Sequence, residues 1–434
     1  MDLLTFALLL LVLLCVFLGA GLWISMSLAA VGYVAMQTVH PSPGLFLASA
    51  YWESTGSWTL AALPMFIWMG EILFRTRLSE ELFNGLSPWV RWLPGRLLHT
   101  NILACGIFGS VSGSSAATCA TVSKIALPEL RRRGYDERVA IGSLATAGTL
   151  GIMIPPSIIM VVYAVAAEVS IVRVFIAGLI PGLIVMGLFS LYIVVWAILN
   201  PSKQPPREPP MPFLQKLRQS AQLIPCGLLI VAVIGTMFAG WATATEAAAF
   251  GVLGSLILAA VTRTLTWENF LEGLYGATRL SCMIMFILAG AAFLTKAMAL
   301  TGIPAALAAG VTALNLGPLG IIAILTVVYI VLGTALDGVS MIVLTTSIVV
   351  PMVTAAGFDL IWFGIFIVLL VEMAEITPPL GFNLFVMQTM TGKEQTEVAM
   401  ASLPFFCMLV VTVALITLFP VTLVTGLPEY LLAR

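Results

Sequence analysis

Gly109-Ser110-Val111-Ser112-Gly113-Ser114-Ser115, then Pro128 and Arg131-Arg132-Arg133, then Gly148-Thr149-Leu150-Gly151 running into Pro155-Pro156: the stretch from Gly106 to Ser157 decides the fold. It opens as an apolar helix that dissolves into a small polar tip. A second apolar run leads back to a cationic knot. Two apolar arms meeting at such a tip read as a re-entrant hairpin. The double proline, with glycines before it, reads as a helix broken inside a membrane. Irregular backbone at that depth survives only where protein or a water-filled cavity receives its free N–H and C=O groups. The stretch therefore does not face lipid, and a ligand or ion site is its natural use.

The surroundings agree. The chain has 434 residues, 60% hydrophobic and 9% charged, with a mean hydropathy of +1.10. Apolar runs of about 18 residues or more recur, which indicates an all-α polytopic membrane protein set in a lipid bilayer. A net charge of −1 offers no surface for nucleic acid. The six cysteines lie singly in apolar runs and make neither a CxxC site nor a disulfide framework. The first run, Leu3 to Leu22, follows Met1-Asp2 without a positive leader and reads as a retained helix.

In order, spans are predicted at 3–23, 25–39 and 58–74, with a short apolar segment at 44–52 in the interface. Residues 78–93 carry Leu78, Leu82, Leu86, Trp89, Val90 and Leu93 on one side and Glu80, Glu81, Asn84 and Arg91 on the other, as a surface arm helix does. Hairpin 1 occupies 96–131, a broken helix 138–166 and a span 172–199. Residues 200–212 are a proline-rich linker outside the bilayer. Spans at 220–240 and 245–262 follow, then a surface helix at 266–278, a span at 280–298 and a short apolar segment at 303–313. Hairpin 2 covers 318–355 with its tip at Gly333 to Ser340. A second broken helix covers 360–390, and a last span 398–424.

Two halves emerge, residues 1–199 and 213–434. Pro128, Gly134, Tyr135, Asp136 and Pro155-Pro156 return as Pro351, Gly357, Phe358, Asp359 and Pro378-Pro379, each displaced by 223 residues. Arg75, Arg77, Arg91, Arg96, Arg131 to Arg133 and Arg138 put both feet of hairpin 1 in the cytoplasm, and Lys203, Arg207, Lys216 and Arg218 put the linker there. Hairpin 2 has no Lys or Arg at its feet, so they stand outside. The halves are thus inverted, with both termini periplasmic. That is the plan of secondary transporters, which bind substrate near the midplane where broken helices meet.

At the tip of hairpin 1, Ser112, Ser114, Ser115 and Thr118 supply hydroxyl oxygens. The prolines free carbonyls over Gly148 to Ile152 and Met373 to Ile376. Such neutral oxygens suit a hard cation like Na⁺, and helix N-termini after each break favour an anion. Tight helix packing is the alternative use for these small residues. Asp337, a carboxylate at a tip, costs about 2.5–3.5 kcal/mol at mid-bilayer, so it either touches ion or substrate or braces the tip. Asn383 either braces the second break or meets substrate. Glu372 and Glu375 are expected as a hydrogen-bonded structural pair, with proton or cation carriage the alternative. Glu246 is expected at a helix start for structural reasons.

Ser112 to Thr118, Arg132 to Asp136, Gly148 to Ile152 and Ile154 to Ser157 closely resemble the large M subunit of tripartite ATP-independent periplasmic (TRAP) transporters. Thr245 to Ala249 and Thr377 to Phe385 do so as well. Ala374, where that family more often has glycine, and Ala244, where proline is usual, are departures. The resemblance implies an elevator: a fixed scaffold, and a transport domain of hairpins and broken helices that carries substrate across the bacterial inner membrane. It implies sodium-driven import of a carboxylate with two or more Na⁺ ions. A periplasmic substrate-binding protein delivers the substrate, and a separate small four-helix Q subunit packs on the scaffold. Carried over, one cation site falls on Ser112, Ser114 and Ser115 with the carbonyls around Thr149 and Gly151. The other falls on Gly333, Thr334 and Asp337 with Met373 and Thr377. Substrate lies between the tips, at Ser114, Ser115, Asp337 and Asn383.

The rival reading is a stand-alone sodium- or proton-coupled anion transporter of the same fold. An intramembrane enzyme would want a paired aspartate or a His-Glu cluster on facing helices, and the deep acids here are single or sequential. Closed tips suit occlusion better than the continuous pore of a channel.

Overall fold

The computed structural model describes residues 3–206, 211–303, 306, 317–334, 336–379 and 381–432. Among these there is no β-strand. Helices are α1 (Leu3–Gly19), α2 (Ile24–Gln37), α3 (Pro43–Thr55), α4 (Ala62–Phe74), α5 (Leu78–Val90), α6 (Leu97–Ser112), α7 (Ser115–Arg132), α8 (Glu137–Ala147), α9 (Leu150–Met153), α10 (Ile158–Ala166) and α11 (Ile171–Leu199). The second half adds α12 (Phe213–Ser220), α13 (Ile224–Phe238), α14 (Ala244–Val261), α15 (Trp267–Thr301), α16 (Pro318–Gly333), α17 (Gly338–Ala355), α18 (Leu360–Glu375), α19 (Phe382–Thr391), α20 (Gln395–Leu418) and α21 (Gly426–Leu432). Six of the helical segments are long and apolar enough to cross a membrane, or eight if two bent pairs are each one span. The segment expected at 303–313 lies almost wholly outside the described residues, as does part of the linker.

Each hairpin turns where its sequence stops favouring helix. Gly113 ends α6 in the left-handed region at φ 61°, which glycine adopts without the Cβ penalty. Ser114 then caps α7 by accepting from Ala117 N. In hairpin 2, Asp337 caps α17 by accepting from Ser340 N. The arms are clasped by the buried Tyr329 hydroxyl at 2.6 Å from Thr345 Oγ1.

The positions repeated in sequence play like local roles. Gly134 and Gly357 both take positive φ, at 76° and 82°. Asp136 and Asp359 cap α8 and α18 by accepting from Val139 N and Trp362 N. Both double prolines interrupt a helix, and both Pro-Pro bonds are cis.

Two packing groups form. α15 runs along α2, α3 and α4, while α14 lies between α4 and α13. Hairpin 1 packs on α8 and α9, hairpin 2 on α10 and α18 and, across the groups, on α15, and α20 on α8 and α11. Tyr163 of α10 ties the broken helices together by donating to Leu360 O at 2.6 Å.

Some elements differ from expectation. The surface helix at 266–278 and the span at 280–298 are one helix of 35 residues. Nothing between them removes a backbone bond: Gly273 and Gly276 sit inside the helix, and no proline intervenes. The 44–52 segment is part of α3, which packs on α15 and meets the following helix at a bend of 52°. The arm α5 buries Leu78, Leu82 and Val90, and its neighbours are α6, α7 and α12. Glu246 sits in a capping box with Thr243, as expected of a helix start: Thr243 N donates to Oε2 at 2.8 Å, and Glu246 N donates to Thr243 Oγ1 at 3.3 Å.

Candidate functional site

The hairpin 1 tip meets the first break because two glycines let backbone touch backbone. A β-carbon on Gly109 would stand 2.4 Å from Gly151 Cα, and one on Gly151 would stand 3.0 Å from Thr118 Oγ1 and 3.3 Å from Ser114 O. Around this contact, oxygens gather. Ser112 Oγ lies 2.8 Å from Thr118 Oγ1, and Thr118 Oγ1 donates to Ser114 O at 2.7 Å. Thr149, fully buried, donates to Thr146 O at 2.8 Å. Past the break, Ser157 donates to Ile152 O at 2.7 Å and caps α10 by accepting from Met160 N at 3.3 Å. Replacing Ser157 by alanine removes both bonds from a buried position. We expect it to cost about 1–2 kcal/mol, read as a lowered thermal midpoint of the purified protein.

Ser115 points the other way. Its hydroxyl donates to Asn383 Oδ1 at 3.0 Å, and Asn383 Nδ2 donates to Ala145 O at 2.8 Å. Asn383 is fully buried, and both ends of its amide are engaged in bracing α19 against α7 and α8. The structure thus groups Ser112, Ser114 and Thr118 near Gly151, and it sets Ser115 apart with Asn383.

At the second break, Thr377 Oγ1 donates to Met373 O at 2.6 Å. Gly333 packs on α18 so closely that an added β-carbon would lie 2.1 Å from Ala374 Cβ. Thr334 turns its hydroxyl back to Val331 O at 2.7 Å. Asp337 accepts from Ser340 N at 3.2 Å and from the Ser340 hydroxyl.

Between the second tip, α18, α19 and one residue of α7 opens a cavity of about 660 Å³. Its lining includes Ala120, Asp337, Glu375, Phe382 and Phe385, and no Lys or Arg is among its described lining residues. Ser114, Ser115 and Asn383 do not line it, but Ser115 stands beside the Glu375 carboxylate.

Glu372 and Glu375 do not form the expected hydrogen-bonded pair. Glu372 is fully buried with neither carboxylate oxygen bonded, and Glu375 Oε2 has no partner. Two carboxylates three residues apart are both acceptors when ionised and cannot satisfy each other. Glu375 instead faces the cavity with Asp337. The sequence signal was available in the one-turn spacing before the double proline, but not the direction of the side chain.

The family described as "Tripartite ATP-independent periplasmic transporter, DctM component" matches residues 9–422. The C4-dicarboxylate TRAP transporter large permease protein DctM of Pseudomonas aeruginosa is 33% identical over 407 residues, covering 93% of this chain and 94% of that protein. The ectoine/5-hydroxyectoine TRAP transporter large permease protein UehC of Ruegeria pomeroyi is 31% identical, with 82% and 83% covered. Among solved structures, the YdaH transporter of Alcanivorax borkumensis superposes with a TM-score of 0.64 at 12% identity, covering 91% of this chain and 96% of that one. That likeness concerns the fold alone.

Proposed function

The chain belongs to the DctM family of tripartite ATP-independent periplasmic transporters, and from that membership we propose that it is the permease subunit of a sodium-coupled importer of a carboxylate. It is a multi-pass membrane transport protein and not an enzyme. In this reading it sits in a bacterial inner membrane, takes substrate from a periplasmic binding protein and works with a small Q subunit.

The observation that carries the proposal is the meeting of the second tip and the second break around one cavity. Asp337 and Glu375 are the charged groups among its described lining residues. An anion entering beside two carboxylates is repelled unless cations are bound with it. We assign them to the oxygen-rich cluster at Met373–Thr377, which adjoins the lining residues Ala374 and Glu375, and to the one gathered at Gly151. Sodium suits such hydroxyl and carbonyl oxygens, as Ca²⁺ and Mg²⁺ suit carboxylates. The packing groups support an elevator, with α2, α3, α4, α13, α14 and α15 as scaffold and the hairpins with the broken helices as cargo carrier.

The test is uptake of a labelled C4-dicarboxylate into proteoliposomes holding this chain and its Q subunit. Uptake is expected to need both a sodium gradient and an added binding protein. Sodium-driven uptake without any binding protein would favour the stand-alone reading. Uptake driven by a proton gradient and indifferent to sodium would remove the cation assignment.

The inverted arrangement has its own test. Arg133→Cys and Ala356→Cys, made separately in a background with Cys15, Cys282 and Cys407 changed to alanine, are expected to react with an impermeant maleimide from opposite sides of the membrane. Labelling of both from one side rejects the inversion, and with it the residue 1–199 and 213–434 halves joined by the 200–212 linker.

A further inference from the structure

One face of α19 forms a wall of the cavity of about 660 Å³. Phe382, Phe385, Val386 and Thr389 reach it at helical spacing. Phe382 and Phe385 are 58% and 59% exposed, so their rings stand open rather than packed. Asp337 of the second tip and Glu375 at the end of α18 border the same space.

The two carboxylates are not equally served. Asp337 accepts from Ser340 N and from the Ser340 hydroxyl. Glu375 Oε2 is covered and meets no hydrogen-bond partner. A carboxylate oxygen in that position is costly to leave without a donor. The described lining residues include no Lys, Arg or His to supply one. Thr389, the hydroxyl among them, is already turned to Phe385 O at 2.9 Å. The last side-chain torsion of a glutamate is soft, so a small turn of the carboxylate presents Oε2 to whatever enters.

The surroundings select the kind of donor. A cation is drawn to the face of an aromatic ring within about 6 Å of its centroid. A nitrogen that carries both a proton and a positive charge satisfies Glu375 and the open phenyl rings together. A second carboxylate in its place meets Asp337, Glu375 and the negative ring faces, and each of these repels it. The opposite preference holds at the start of α19. Gly381 and Phe382 line the cavity there, and no side chain caps the helix. Its free N–H groups and positive dipole end favour a carboxylate.

We propose, as a refinement that rests on the carboxylate-importer reading above, that the preferred substrate is a zwitterion. Its carboxylate lies toward the start of α19, and its cationic nitrogen is held by Glu375 beside Phe382 and Phe385. Glu375 then sets specificity, because it distinguishes a cationic end from a second carboxylate. Dicarboxylates bind the same place more weakly.

4-Aminobutyrate and succinate test this, being four-carbon acids that share one carboxylate and differ at the other end. Thermal stabilisation by each ligand is measured on the chain purified with its Q subunit, in NaCl and in KCl at one pH, without a binding protein. In NaCl, half of the full stabilisation is expected at a roughly tenfold lower concentration of 4-aminobutyrate than of succinate. Glu375→Gln keeps the shape and removes the charge; it should erase or invert that ratio. Phe385→Leu, at an exposed ring, should weaken 4-aminobutyrate roughly threefold or more and leave succinate unchanged. Glu397→Gln, outside the cavity, should alter neither. A wild-type preference for succinate, no stabilisation by 4-aminobutyrate, or an unchanged ratio in Glu375→Gln overturns the proposal. If Glu375→Gln does not fold, equal weakening of both ligands in Phe385→Leu overturns it. Sodium-dependent succinate binding alone would sink the zwitterion and leave the importer reading standing. Stabilisation as strong in KCl as in NaCl would sink the sodium-coupled reading beneath it.

Discussion

Replacing Asp337 with asparagine is expected to cut sodium-driven uptake roughly a hundredfold while leaving the protein folded. The side chain has two separable jobs. As the N-cap of α17 it accepts from Ser340 N and from the Ser340 hydroxyl. Asparagine caps a helix about as well as aspartate, so this job survives the change. Asparagine cannot supply the negative charge that Asp337 presents to the cavity. The variant therefore tests the charge and spares the brace. Thermal unfolding should shift little, and sodium activation of uptake should weaken markedly. Alanine at the same position would remove the cap too, adding about 1 kcal/mol of lost stability. If sodium activation in the asparagine variant matches the wild type, Asp337 is a brace only, and the second cation site proposed here loses its carboxylate.

Gly109→Ala is expected to abolish transport and to lower stability by about 1–3 kcal/mol. Its β-carbon would fall 2.4 Å from Gly151 Cα and 2.7 Å from Gly151 N. Both are backbone atoms, and neither can turn aside as a side-chain end can. The tip of hairpin 1 would have to back away from the first break, pulling Thr118 Oγ1 and Ser114 O away from Gly151, which they now crowd. Gly187 of α11 is the control, because nothing lies within 4 Å of a β-carbon there. Gly187→Ala should leave uptake and stability unchanged or slightly raise the latter. A Gly109 variant that transports normally would mean that the tip and the break need not touch.

The local chemistry of this fold was legible in the sequence, because it depends on neighbours along the chain. Gly109 to Ser115 reads as the polar tip where a helix gives out, and Pro155-Pro156 reads as a break; the helices end at Ser112 and at Met153. What was not legible depends on distant partners. Ser114 and Ser115 are adjacent, yet one belongs to the Gly151 cluster and the other to Asn383, 268 residues away. Nothing in a serine pair says which way each will turn. Glu372 and Glu375 carry the spacing of a structural pair, but mutual satisfaction requires donors, and neighbouring helices place none on Glu372. The continuity of α15 was hidden for another reason. Its first third is amphipathic and the rest apolar, so a change of surroundings looked like a change of element.

That helix also sets a length. At about 1.5 Å per residue, its 35 residues reach roughly 52 Å, against a hydrocarbon layer of roughly 30 Å. Even steeply inclined, such a rod overhangs the bilayer, and its amphipathic start, with Trp267, Glu268 and Glu272, is the end fit for water. There Glu272 meets Arg75 at 3.6 Å, and Trp68 stacks edge-on to Phe270 at 6.0 Å, so the overhang is bolted to α4. The protein thereby carries a gauge of fixed span, anchored at one rim. Bilayers of different thickness should be forced to adapt to it, and activity should peak at an acyl length that fits.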